Sequence, residues 1–149
     1  MPSYLEKTLQ PDESIVYRAR IHWVIYLRGL LLVALGVALV ATLGLATWVE
    51  IASAAVALIG LVMLINAFIL RHTTELAVTN RRVVAKVGFI RRRTWEINSA
   101  SVEGVEVQQS VPGRLLGYGT IAVKGTGGGL APIPNVDDPI GFRNHVRIG

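Results

Sequence analysis

The chain has 149 residues, 15 lysines and arginines against 10 aspartates and glutamates, a net charge of +5, and 52% hydrophobic residues. Its mean hydropathy of +0.49 exceeds what one small water-soluble core requires, and the excess lies in two uncharged runs, 29–49 and 51–70. Those runs argue against a purely water-soluble protein, and the absence of cysteine excludes a disulfide-stapled secreted domain.

In chain order, the first predicted element is a strand. After the turn-like Pro11-Asp12-Glu13, residues Ile15, Tyr17, Ala19 and Ile21 alternate with Val16, Arg18 and Arg20, a period-2 pattern. A cleaved signal peptide does not suit this region. Glu6, Asp12 and Glu13 precede the apolar run, and the run exceeds the roughly 7–15-residue core of a signal sequence.

Residues 27–70 read as a transmembrane hairpin, with helices over about 28–48 and 51–70 joined by a turn at Thr47-Trp48-Val49-Glu50. Each run spans the ~30 Å hydrocarbon layer of a bilayer at ~1.5 Å per residue. Four cations (Lys7, Arg18, Arg20, Arg28) precede the first charge-free run, the other eleven follow the second, and the turn carries only Glu50. The positive-inside rule therefore puts both termini in the cytoplasm, with Trp48 at the outer interface and Trp23 and Tyr26 at the inner one. A bacterial-type inner membrane is the plainest host, and a mitochondrial or archaeal membrane satisfies the same argument. Small residues at four-residue spacing, Ala34/Ala38 and Ser53/Ala57, predict close packing within the hairpin. With no ionisable residue inside, the helices read as an anchor. Their one strongly polar side chain, Asn66, either joins another helix by a hydrogen bond or is satisfied by its own backbone or headgroup water.

Residues 71–149 read as β structure. TTELAVT, RVVAKV and RRRTWEIN are three strand-length segments divided by Asn80-Arg81 and Gly88-Phe89-Ile90. VEGVEVQQ follows, then a break at Val111-Pro112-Gly113, a corner at Gly117-Tyr118-Gly119, TIAVK, a flexible turn at 125–129, and LAPIP. Asp138 as N-cap, Pro139 in the first turn, and Phe142 and Val146 four apart predict a short terminal helix. The N-terminal strand runs toward the membrane and Thr73–Thr79 runs away, so the two pair with the hairpin inserted between them. Residues 1–26 and 71–149 then form one discontinuous cytoplasmic domain, a seven-stranded capped barrel or half-open sandwich.

The arrangement of a helix pair, TTELAVTNRRVVAKVGFIRRRTWEIN and VEGVEVQQSVPGRLLGYGTIAVKGTGG resembles the membrane-anchored, YdbS-like bacterial pleckstrin-homology (PH) domain proteins. The likeness is close from Thr73 to Gly128 and covers the helices in layout. It is carried by Leu76-x-Val78-Thr79-Asn80, by Gly88-Phe89-Ile90-Arg91-Arg92-Arg93-Thr94, and by Arg114-Leu115-Leu116-Gly117-Tyr118-Gly119-Thr120. The resemblance implies a membrane-anchored α+β protein whose mostly antiparallel, PH-like barrel or sandwich of seven strands is closed at one end by a helix. It implies a module for binding lipid, peptide or other copies, and no inositol-lipid specificity is carried over from it.

If the chain leaves the bilayer at Arg71, strand Thr73–Thr79 climbs ~23 Å at ~3.3 Å per residue and the next strand returns. The turn with Phe89, Ile90, Arg91, Arg92 and Arg93 is thereby brought back to the surface, and similar counting returns Arg114, Leu115 and Leu116. These eight residues are the expected lipid contacts, apolar side chains beside cations. The alternative is that Phe89, Ile90, Leu115 and Leu116 plug the barrel ends while the arginines form a solvated rim.

Catalytic readings fail. His22, His72 and His145 are not spaced as metal ligands, Asp137-Asp138 is a helix start, and 125–129 lacks the Gly-Lys-Ser/Thr ending of a phosphate loop. No enzyme activity, cofactor or metal is expected. Leu116-Gly117-Tyr118-Gly119 resembles a potassium filter but follows both helices instead of lying between them. A pI near 10.1 suggests nucleic acid, yet the aromatics are not interleaved with the cations, and a basic face beside anionic lipid explains the charge. The expectation is a non-catalytic module contacting anionic phospholipid headgroups or protein partners. The alternatives are a homo-oligomeric scaffold associating through Asn66 and an accessory subunit of a larger membrane complex.

Overall fold

The computed structural model describes residues 8–43, 47–88 and 93–146. The chain forms two compact units, one from residues up to 22 together with those from 72 onward, the other from 23–71.

In the first unit, β1 (Ile15–Ala19), β2 (Glu75–Thr79), β3 (Arg82–Val87) and β4 (Arg93–Asn98) form an antiparallel sheet in that order. The N-terminal strand pairs with β2 as its alternation predicts, with Ala19 opposite Leu76 and Arg18 opposite Ala77. Leu76, Val78, Val83 and Ala85 share one face of this sheet and are buried. Ala77 and Val84 form a smaller cluster with Ile15 on the other face.

The second sheet contains β5 (Val102–Gln108), β6 (Tyr118–Gly125), β7 (Gly128–Gly129) and β8 (Ile133–Asp137), with β6 paired to the other three. Along β6, Gly119, Ile121 and Val123 are buried in alternation. Beyond Ala19 the first strand changes sheets. Ile21 bridges Val136, the His22 N–H donates to the Asn135 carbonyl at 2.7 Å, and the Asp137 N–H donates to the Arg20 carbonyl at 2.8 Å.

That corner is stitched; the opposite one is open. β4 pairs with β3 and β5 with β6, so the described strands number eight in two four-stranded sheets and do not close into the expected seven-stranded barrel. The 3-10 turn Ser99–Ser101, capped by the Asn98 side chain, separates β4 from β5. The glycine segment adds a strand where a flexible turn was expected, because Lys124 and Gly125 pair with Gly129 and Gly128. The last strand starts at Ile133 instead of Leu130. Pro132 cannot donate to a ladder, and the Leu130 N–H is already used by the Val123 carbonyl.

Two short helices complete the unit. At Val111–Leu116, where a break was expected, the chain forms a helix, designated α3 below. Ser110 Oγ accepts from the Gly113 N–H at 3.3 Å, Pro112 sits in the first turn, and Gly117 ends the helix at φ 78°. Pro139–His145 forms the terminal helix as predicted, with Asp138 accepting from the Gly141 N–H at 3.0 Å. Its Phe142 is fully buried, with its ring edge-on to Tyr17 at 6.3 Å.

One ion pair fastens the segment before β1. The Glu13 carboxylate is buried and accepts from Arg82 Nε and Nη2, both at 2.9 Å, from Thr79 Oγ1 at 2.8 Å, and from the Gln10 N–H at 2.9 Å. Arg82 also donates to Glu96 at 2.6 Å and to the Thr8 carbonyl at 2.7 Å. The Arg82 hydrogen bonds, aided by Gln10 and Thr79 against the opposing effect of burial, pull the Glu13 pKa from 4.5 down to about 2.

In the second unit a 3-10 turn (Trp23–Tyr26) leads into α1 (Leu27–Leu43), and α2 covers Thr47–Thr73. The segments Trp23–Thr42 and Thr47–Thr73 are both long and apolar enough to cross a membrane by length and composition. Thr47, Trp48, Val49 and Glu50, expected as the turn, instead open α2, where Glu50 complements the positive end of the helix dipole.

The helices meet along small residues seven apart: Gly29 and Gly36 face Ser53 and Gly60, and Ala67 is also buried. A Cβ on Gly60 would lie 2.7 Å from the Val33 nitrogen, and one on Gly36 would lie 2.8 Å from the Ala57 nitrogen and the Ser53 carbonyl. Ser53 and Ala57 thus serve in the contact as expected. Ala34 and Ala38 do not, and are exposed, because backbone contact at two-turn spacing requires the glycines.

Three outcomes follow for the full chain in mild detergent. Gly36→Val and Gly60→Val should each cost about 1–3 kcal/mol through overpacking, read as lowered thermal midpoints, whereas Ala38→Val should leave the midpoint unchanged. For Glu13 the folded-state pKa lies below the ordinary value, so its contribution is full above pH 4.5 and disappears as pH falls from there toward about 2. Thermal melts across that window should show a steeper loss of stability in the parent than in Glu13→Gln. Arg82→Ala, which strands a buried carboxylate, should cost about 3–5 kcal/mol at neutral pH.

Candidate functional site

The register of the first sheet puts four strand ends together. Ala19 ends β1 opposite Leu76, Glu75 starts β2 opposite Lys86, and Val87 ends β3 opposite Arg93. This is the end of the unit from which the chain departs after His22 and to which it returns at His72.

The residues that flank the β3–β4 connection, Val87 and Arg93, lie at this departure end. Gly88 opens the connection at φ 103°, a left-handed conformation that glycine adopts without strain, and Arg93 is exposed at the first position of β4. Phe89, Ile90, Arg91 and Arg92 lie outside the described residues.

The second sheet brings α3 to the same end. Tyr118, the first residue of β6, stacks on buried His22 with ring centroids 5.3 Å apart, and Asp137 lies opposite Tyr118 with its carboxylate 4.0 Å from His22 Nε2. The six-residue helix immediately before Tyr118 is held there by close backbone contact. A Cβ on Gly113 would sit 2.6 Å from the Tyr118 carbonyl, while Gln109 Nε2 donates to that same oxygen at 3.1 Å.

Because Gly113 faces inward, the rest of α3 faces out. Val111 is 75%, Leu115 82% and Leu116 45% exposed, and Arg114 beside them is exposed as well. Ile140, in the first turn of the terminal helix, is 46% exposed. Leu115 and Leu116 therefore do not fill the interior; among the described residues the fully buried aromatic is Phe142. The structure thus places Arg93, Arg114, Leu115 and Leu116 at one end of the strand unit. Asn66 belongs to the other unit, exposed on α2 and away from the Ser53–Gly60–Ala67 contact line, with no side-chain hydrogen-bond partner among the described residues.

Sequence reasoning missed the helical form of α3 and the contribution of Val111 and Ile140. The signal for the former was present: Ser110 as cap, Pro112 inside the start and Gly117 after the end.

The family model for the bacterial PH domain matches residues 29–147. The chain belongs to the bacterial PH domain family. The match takes in both apolar helices and the terminal helix, a longer stretch than the Thr73–Gly128 likeness seen in the motifs. No curated protein and no solved structure matches the chain. Bacterial PH membership suggests a binding module over an enzyme. That suits a site of exposed apolar and cationic side chains.

The exposed face and the buried glycine make opposite demands on substitution. Leu115→Ser should change stability by no more than about 0.5 kcal/mol, as for an exposed position. Gly113→Val should displace the helix from β6 and lower the thermal midpoint of the full chain. Melts of both variants followed by circular dichroism check this contrast.

Proposed function

We propose that this bacterial PH-domain chain is a non-catalytic binding module, anchored in the inner membrane by α1 and α2, with both termini in the cytoplasm and its strand unit touching lipid headgroups. The observation that carries the reading is the exposure of Val111, Leu115 and Leu116 beside Arg114 at the end from which the chain departs for the two apolar helices. Apolar side chains flanked by cations gain from both the acyl boundary and the anionic headgroups. β3 ends and β4 begins at the same end, with Phe89, Ile90, Arg91 and Arg92 between them in the sequence and Arg93 opening β4, and each cation near an anionic surface would add about 1 kcal/mol of attraction. Of the 15 cations, eleven follow the charge-free run 51–70 and four precede the run 29–49, which supports the cytoplasmic placement of both ends.

The cysteine-free sequence allows a direct test with full-length protein in vesicles. Single labels at Leu115→Cys and at Thr126→Cys, the latter beyond the opposite end of β6, are exposed to nitroxide-bearing lipid. Quenching at 115 and not at 126 is expected, with Arg91, Arg92 and Arg93 changed to serine reducing it most in low salt. Equal quenching at both positions, or none at 115, would overturn the reading.

A second reading, self-association in the membrane, is favoured by the exposed Asn66 amide on α2, which carries both donor and acceptor. It requires a discrete multimer by light scattering in mild detergent that Asn66→Leu dissolves. A monomer at every concentration would remove it.

A further inference from the structure

Between α3 and the start of the terminal helix lies an open cleft of about 430 Å³, lined by Gln109, Arg114, Gly117, Asp138, Pro139 and Ile140. It holds one cation and one anion that do not neutralise each other. Arg114 makes no ion pair among the described residues, so its guanidinium and the Asp138 carboxylate are farther apart than salt-bridge distance. Asp138 accepts from the Gly141 N–H at Oδ1, 3.0 Å, and from the Tyr17 hydroxyl at Oδ2, 3.1 Å. Each carboxylate oxygen therefore keeps capacity for a further donor. Pro139 and half-exposed Ile140 form an apolar wall, and exposed Leu115 and Leu116 lie on the adjoining helix.

The charges select among ligands. A purely anionic headgroup that reached Arg114 would meet Asp138, with Asp137 next to it in the chain. A simple cation drawn to Asp138 would meet Arg114. A ligand carrying a phosphate and a primary ammonium on one short stem, continuing into an apolar chain, satisfies the guanidinium, the carboxylate and the apolar wall together. A quaternary choline has no N–H to give the carboxylate and leaves that half of the cleft unused.

We propose that this cleft binds the zwitterionic phosphoethanolamine headgroup of a membrane lipid, with Arg114 on the phosphate and Asp138 on the ammonium. The proposal rests on the departure end facing the bilayer, and it assigns this cleft a lipid class different from the anionic one that the arginines at 91–93 would draw.

The test is native mass spectrometry of the full chain in mild detergent, titrated with short-chain phosphatidylethanolamine, phosphatidylglycerol and phosphatidylcholine, and with soluble O-phosphoethanolamine. Phosphatidylethanolamine should bind best. Asp138→Asn, in which asparagine keeps both the helix cap and tolerance of the left-handed φ of 42°, should weaken that binding about tenfold, as for loss of a charged hydrogen bond, without weakening phosphatidylglycerol. Arg114→Gln should weaken phosphatidylethanolamine similarly. Preference for phosphatidylglycerol, or indifference to Asp138→Asn, overturns the zwitterion site while the quenching at position 115 still stands. Soluble phosphoethanolamine binding as tightly as the lipid overturns the lipid source. Absence of quenching at 115 instead removes the membrane-facing reading beneath it.

Discussion

The ladder between β1 and β2 is the constraint on which the structure depends. Ala19 lies opposite Leu76, yet the entire 23–71 unit intervenes between them in the chain. Adjacent antiparallel strands ordinarily need a turn of a few residues; here the turn has been replaced by two apolar helices. Whatever those helices do, they must begin and end at neighbouring strand ends. The glycine contacts of Gly29, Gly36 and Gly60 meet the same requirement from the other side, because helices in backbone contact keep the two connections close.

The same strand serves a second partner. By passing from β2 to β8 at Arg20–His22, it stitches one corner of an otherwise open sandwich, and the buried Glu13–Arg82 pair fixes the segment that precedes it. Glu13 and Arg82 lie near the end of the first sheet opposite the departure points. The ion pair thus holds the end where the chain turns back, while the departure end combines the Arg20–His22 stitch with the exposed side chains of α3. An ion pair and a helix of six residues divide the labour between holding the fold and presenting a surface.

Much of this was legible in the sequence. Period-2 alternation located β1, charge-free runs located the helices, and Asp138-Pro139 located the last helix, because each is a local pattern with a local physical cause. What escaped was non-local or misread. The α3 signals lay in plain view, but Pro112-Gly113 also reads as a turn, and only the approach of Gly113 to the Tyr118 carbonyl distinguishes the two. The four-residue pair Ser53/Ala57 lies in the helix contact, but the Gly29/Gly36 and Ser53/Gly60/Ala67 repeats at seven are what bring the backbones together, and Ala34/Ala38 stays outside it. No pattern in the sequence joins Glu13 to Arg82. At the candidate site, the exposure of Leu115 depends on which face of α3 turns inward, a matter settled by Gly113 and not by the leucines.

The split strand pairing also sets an order of assembly. A ribosome delivers β1 long before β2, so the first strand has no partner in its own sheet until residue 79 has been made, and none in the other until residue 137. Closing so large a loop costs entropy that a preformed helix pair reduces, by holding the two ends near each other beforehand. A pair of apolar helices formed first would therefore ease formation of the β1–β2 ladder. Until they are in place, the N-terminal strand is an unpaired edge exposed to wrong partners.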